Sequence, residues 1–158
     1  MTCAERAHSD KSARKFRMKI ETLLSAYEAT TFRAHVPGIG RLELRVGVPS
    51  RELDRLLDAA RAGSWAFVTE FNPRSRKLDP QENAERHSEL VRRVANRGWV
   101  WYEGEGVPDQ PCWDPETSAL ILGIAKDDAL TLGREFGQLA IVSGVAGGAP
   151  KLLLCAPD

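Results

Sequence analysis

Asp79-Pro80-Gln81-Glu82 opens a helix whose start and stop are both written in the sequence. Asp79 is an N-cap, Pro80 sits at the first helical position, and Glu82 completes a D-x-x-E capping box. Ala84, His87, Leu90, Val91, Val94 and Ala95 then recur at helical spacing, and Gly98 ends the run. Strand-like segments flank it. Trp65 to Phe71 carries little charge and stops at Asn72-Pro73, and Trp99 to Tyr102 follows the helix. A strand, a well-capped helix and a second strand in succession predict a sheet with helices packed on it.

The rest of the chain continues that alternation. Ile20, Leu23, Leu24 and Tyr27 form one stripe of a short helix over 19–28. Thr30 to Val36 is β-rich and ends at Pro37-Gly38, and Leu42 to Val46 alternates cleanly, so 30–47 reads as a hairpin. Ser50 caps a helix with Leu53, Leu56, Leu57 and Ala60 on its apolar face, and Gly63 is its expected stop. Residues 103–115 read as a loop and Ser118 to Ile124 as a buried strand. A helix follows over about 127–136, ended by Gly137. Leu139 to Val142 and Lys151 to Cys155 are the last strands, joined by Gly147-Gly148-Ala149-Pro150. The order α-ββ-α-β-α-β-β-α-β-β predicts an α/β fold. The expected sheet is single and mixed, of six or seven strands, with parallel crossovers and helices on its faces.

With 158 residues, the chain fits one core, and 42% hydrophobic with 28% charged residues is ordinary for a globular domain. The expected organisation is a basic, flexible tail over 1–18 and a single domain over 19–158. Residues 1–17 hold Arg6, Lys11, Arg14, Lys15 and Arg17 against Glu5 and Asp10, a net of +3. The whole chain balances 22 basic against 22 acidic side chains, which argues against non-specific nucleic-acid binding. The tail lacks an apolar run, so it reads neither as a secretory signal nor as a membrane span. Cys3, Cys112 and Cys155 are odd in number and form no C-x-x-C, which reads as reduced thiols in the cytoplasm. His8, His35 and His87 have no metal-ligand spacing with them, so no metal site is expected.

Chemistry is most readable between the strand ending near Phe71 and the helix starting at Pro80. Ligands of open α/β sheets sit outside strand carboxyl ends, beside helix N-termini whose free N–H groups favour anions. Asn72, Arg74 and Ser75, with Arg76 and Lys77, occupy that stretch. A solvated basic loop is the plainer alternative. Asn83 and Arg86, three apart on the first turns of the helix, share one surface. Asn83 also falls at the edge of the apolar stripe, where an amide needs a partner. Gln138 follows the Gly137 cap and precedes an apolar strand, a position that packing does not explain. His87 reads as a hydrogen-bonded core residue. The acidic segment around Glu103, Glu105, Asp114 and Glu116 selects neither a magnesium site nor a general acid by its spacing.

Several of these pieces together resemble the bacterial domain-of-unknown-function family 3293. They are Ala26-Tyr27 with Thr30, Phe67-Val68-Thr69 leading to Asn72-Pro73, and Glu82-Asn83 with Arg86. Gly104-Glu105-Gly106 followed by Trp113 and Glu116 continues the pattern, and Phe136-Gly137-Gln138 with Ala140-Ile141-Val142 completes it. The resemblance covers about residues 24 to 143. It implies a small, uncharacterised bacterial protein and brings no activity. Leu139 and Pro115 depart from the pattern beside Gln138 and Glu116.

The leading expectation is a site for a small anionic, phosphate- or nucleotide-like ligand walled by Asn72, Arg74, Ser75, Asn83, Arg86, Glu116 and Gln138. The sequence leaves open whether the ligand is turned over. In a catalytic site Glu116 is the general acid or base, and the cofactor is unknown. The second expectation is a non-catalytic protein-interaction module built on Trp99, Trp101, Tyr102 and Trp113.

Overall fold

A computed structural model describes residues 20–69, 77–110 and 114–155, together with Arg14 and Arg17. Residues 20–28 form helix α1. Strands β1 (Thr30–Val36) and β2 (Gly40–Leu44) make the expected hairpin, with Gly38 and Gly40 at φ +83° and +90° in its turn. Helix α2 (Arg51–Ala59) is capped as expected, the Leu53 N–H donating to the Ser50 hydroxyl at 3.2 Å. Its expected stop at Gly63 is corrected. The left-handed residue is Arg61, at φ +52°, so the chain leaves the helix before Gly63 is reached.

Strand β3 (Ser64–Val68) leads through the segment 70–76 to helix α3 (Pro80–Asn96). Asp79 accepts the Glu82 N–H at 2.9 Å, and Gly98 is left-handed after the last turn. Strand β4 (Val100–Pro108) overturns the first half of the loop expected over 103–115, since pairing with β1 and β5 runs through Gly104 and Gly106. Gly104 is required there. A Cβ on it would lie 2.4 Å from the Arg33 carbonyl oxygen and 2.6 Å from the Phe67 ring. Strand β5 (Glu116–Leu122), helix α4 (Lys126–Glu135), and strands β6 (Ala140–Val145) and β7 (Lys151–Leu154) complete the chain.

The seven strands form one sheet in the order β2-β1-β4-β5-β3-β6-β7. Its strand number matches the expectation, but the parallel crossovers do not produce parallel pairs. All six pairings are antiparallel. The cause is that the links through α3 and α4 each step over one strand, and the link through α2 steps over three. Strand β5 lies between β3 and β4, and β3 lies between β5 and β6. The unit β3-α3-β4-β5-α4-β6 therefore has the split βαβ connectivity of ferredoxin-like sheets. The β1–β2 hairpin extends it on one side and β7 on the other.

Strand alternation sorts the interior into two cores. Phe32, Leu44, Trp65, Phe67, Leu120 and Val142 share one with Leu53, Leu56 and Leu57 of α2. Ala66, Val68, Ile121 and Ile141 share the other with Leu90 and Val94 of α3 and Ala129 and Leu132 of α4. Burying each leucine contributes roughly 1.5–3 kcal/mol. The sheet is strongly curled. Gly47, just past β2, donates its N–H to the Pro150 carbonyl before β7 at 2.8 Å, and Asp54 of α2 accepts the Gly147 N–H at 3.0 Å. Segments adjoining the two outer strands are thereby clasped together.

Candidate functional site

The register brings three strand ends to one rim. Val68, last in β3, is opposite Ala119 at the middle of β5, and Phe67 is opposite Val142, the third residue of β6. Helix α3 begins after β3, and α4 ends where the chain turns into β6. Thr69 follows β3, Asn83 and Arg86 lie on the first two turns of α3, Glu116 opens β5, and Gln138 stands between α4 and β6. Asn72, Arg74 and Ser75 lie outside the described residues.

Arg86 and Gln138 share one acceptor. Both donate to the Phe136 carbonyl, Arg86 through Nη2 and Gln138 through Nε2 at 3.5 Å. That carbonyl sits at the C-terminus of α4, where helix carbonyls lack internal partners and the dipole favours a cation. The Arg86 guanidinium also lies 5.6 Å from the Phe136 ring centroid, and Arg93 lies 5.0 Å from it. Asn83, one turn before Arg86, is buried at 3% exposure, and its Nδ2 donates to the Leu78 carbonyl at 3.4 Å. The amide thus ties the approach to α3 to its first turn. Asn83, Arg86, Glu116 and Gln138 each make further contacts.

Glu116 stands on the same rim but on the other side of the sheet. It is opposite Gly106 and shares the parity of Leu120 and Leu122, which pack in the α2 core. Its charge reaches Tyr27 of α1. Burial foremost, then Glu116 and Cys155, hold the Tyr27 hydroxyl well above the usual phenol range. That hydroxyl donates to the Ala140 carbonyl at 3.1 Å, at the start of β6. Sequence reasoning placed Tyr27 on an apolar stripe and missed this polar end. The available signal is that a phenol in such a stripe needs a partner for its O–H. Thr69 donates to the Thr117 carbonyl at 2.7 Å and ties β3 to β5 at the rim.

His87 has the expected hydrogen bond, Nε2 lying 2.8 Å from Glu103 of β4, but it is half-buried beside an exposed carboxylate and not in the core. Its ring leans toward β4, whereas Arg86 leans toward α4. Trp101 shares its parity with Glu103 on β4. Trp99 and Trp101 pack against the α3–α4 core, with the Arg97 guanidinium 4.5 Å over the Trp99 ring. Trp113 and Cys112 lie outside the described residues.

Residues 68–141 match the family described as Protein of unknown function (DUF3293). This segment belongs to that family. The DUF3293 segment is just under half the chain. It runs from the last residue of β3 to the second residue of β6. It contains Asn72, Arg74, Ser75, Asn83, Arg86, Glu116 and Gln138, and excludes Tyr27, Thr30 and Phe67. No curated protein and no solved structure matches the chain.

Proposed function

We propose that the DUF3293 rim binds a small anionic ligand, phosphate- or nucleotide-like, with Arg86 as its fixed cation. The observation that carries this reading is that Arg86 and Gln138, 52 positions apart, converge on the one Phe136 carbonyl. Stability alone does not call for two long polar side chains on one carbonyl. Held by a carbonyl and an aromatic ring, Arg86 has few orientations left to lose when an anion docks. The basic stretch Arg74-Ser75-Arg76-Lys77 leads into that helix, and the dipole at its start attracts negative charge. Asn72, Arg74, Ser75 and Asn83 complete the wall. Glu116 is the carboxylate available as general acid or base to a ligand reaching over the rim.

The side of the sheet away from α3 and α4 is filled by Phe32, Trp65 and Phe67 under the α2 leucines. It offers no open aromatic platform for nucleic-acid bases, so the reading stays with a small molecule. Among the described residues no helix is long and apolar enough to cross a membrane. We place the protein in the bacterial cytoplasm on the reduced-thiol reading of its cysteines.

Thermal shift and calorimetric titration with inorganic phosphate and with ADP test the site. The expected result is a concentration-dependent rise in Tm that is lost in Arg86→Ala and weakened in Arg74→Ala. Arg74→Ala guards against loss of binding through misfolding. No rise in the wild type, or equal rises in wild type and both variants, would reject the site.

A further inference from the structure

Strand β2 is an outer strand of the sheet, and among the described residues it pairs with β1 alone. Its other edge presents a row of backbone N–H and C=O groups, the usual template for adding a strand. Leu42 and Leu44 face inward and are buried, whereas Arg41 and Glu43 face outward and are exposed. The usable edge stops at Leu44. The next carbonyl, that of Arg45, already accepts the Val48 N–H at 3.2 Å in a turn that bridges the two residues. The Arg45 side chain is occupied as well, by Asp109, Thr31 and the Glu28 carbonyl.

Symmetry and charge leave one way for two such edges to meet. Copies related by a two-fold axis pair antiparallel, and only residues on the same face stand opposite each other, so the axis passes through a residue. At Arg41 or Glu43 it sets like charges against each other, which is destabilising. At Gly40 or Leu44 it leaves most of the strand unpaired. At Leu42, the middle of β2, all five residues pair, and Arg41 of each copy stands opposite Glu43 of the other. The face is already organised for such an exchange. The Glu43 carboxylate lies 3.2 Å from Arg33 Nε and 3.2 Å from Arg41 Nε. The contact with Arg41 is made through Nε, which leaves the two terminal nitrogens for a neighbour. The other outer strand, β7, holds a single charged residue, Lys151, so no register there brings opposite charges together.

We propose that two copies of the chain join β2 to β2 about a two-fold axis through Leu42, extending the seven-stranded sheet of each across the axis. The contact covers far less than the roughly 800 Å² per partner of a stable complex, so the dimer is weak, concentration-dependent and sensitive to salt. Strand β2 lies outside the family segment, and the pairing is independent of the rim reading.

Sedimentation velocity from micromolar to several hundred micromolar protein tests it, on wild type, Arg41→Glu, Glu43→Arg and an equimolar mixture of the two variants. Wild type is expected to show a monomer–dimer equilibrium that weakens with added salt. Each variant alone sets like charges opposite one another and dimerises at least about ten-fold more weakly. In the mixture every facing pair is again of opposite charge, so a heterodimer forms. A wild type that stays monomeric throughout overturns the proposal. So does a dimer that neither variant weakens, or a mixture that stays monomeric although both variants keep the wild-type Tm. Should Glu43→Arg fail to fold, amide hydrogen exchange decides on the wild type alone. Exchange over Gly40–Leu44 slows as protein concentration rises if the edges pair, and an unchanged rate rejects the pairing.

Discussion

At the scale of single residues, the structure separates side chains that hold the fold from those it does not need. Gly104 belongs to the first group because two immovable neighbours occupy the space of any side chain. Gly104→Ala should cost about 1–3 kcal/mol or more, read as a lower midpoint in urea denaturation at unchanged slope. Cys155 carries a stability that depends on pH. Burial pushes its thiol up to about 11 from an ordinary 9.0, with Arg134 opposing weakly. The native state therefore resists forming the thiolate, and the unfolded chain does not. Its contribution is fully present below pH 9 and is lost as pH rises toward 11. Tyr27 shifts in the same direction. Chemical denaturation from pH 8 to 11 should show stability falling, with a shallower fall in Cys155→Ala. An equal slope in that variant would exclude the thiol as a cause. The candidate residues were legible where local pattern carried them. Asn83 and Arg86 fall on one helix surface by spacing, and Gln138 stands out after the Gly137 cap. The side of the sheet that Glu116 occupies was not legible, because it depends on its register with Gly106, a partner ten residues away.

At the scale of elements, most caps and turns were legible because their chemistry is local, the Gly63 stop excepted. Ser50, Asp79, Gly98 and Gly137 each act where the sequence placed them. Replacing Asp79 by alanine should cost about 0.5–2 kcal/mol, since the Glu82 N–H loses its acceptor at the start of α3. Thermal unfolding followed by circular dichroism would measure it. If the rim reading holds, the same substitution also weakens phosphate binding by loosening the start of α3. Strand β4 was cut short in the sequence reading because Gly104 and Gly106 imitate a loop. In fact Gly104 answers close packing against the Arg33 carbonyl and the Phe67 ring, and Gly106 lies against Thr30 and Phe32. The parallel crossovers were misread for a different reason. Helical and strand periodicities reveal what each segment is, not which strand slips between two others. Only contacts between distant residues, such as Phe67 with Leu120 and Val142, decide that order.

At the scale of the whole molecule, the family segment and the folding unit are different objects. Residues 68–141 omit nearly all of β3, the strand with β5 on one side and β6 on the other, and most of β6. They also omit β1, which pairs with β4 over Thr30 to Ala34. A fragment of 68–141 should therefore show no cooperative melting transition, whereas 20–155 should unfold cooperatively. A sharp transition in the short fragment would disprove this dependence. The arrangement also bears on how the chain assembles as it leaves the ribosome. Strand β3 is made early, yet its first neighbour begins only at residue 116 and its second at residue 140. Until then Trp65 and Phe67 have no sheet to lie in, and the newborn polypeptide keeps a sticky segment waiting through most of its synthesis. Chaperone demand during translation should accordingly peak before the last twenty residues emerge and fall once the clasp between Gly47 and Pro150 can form.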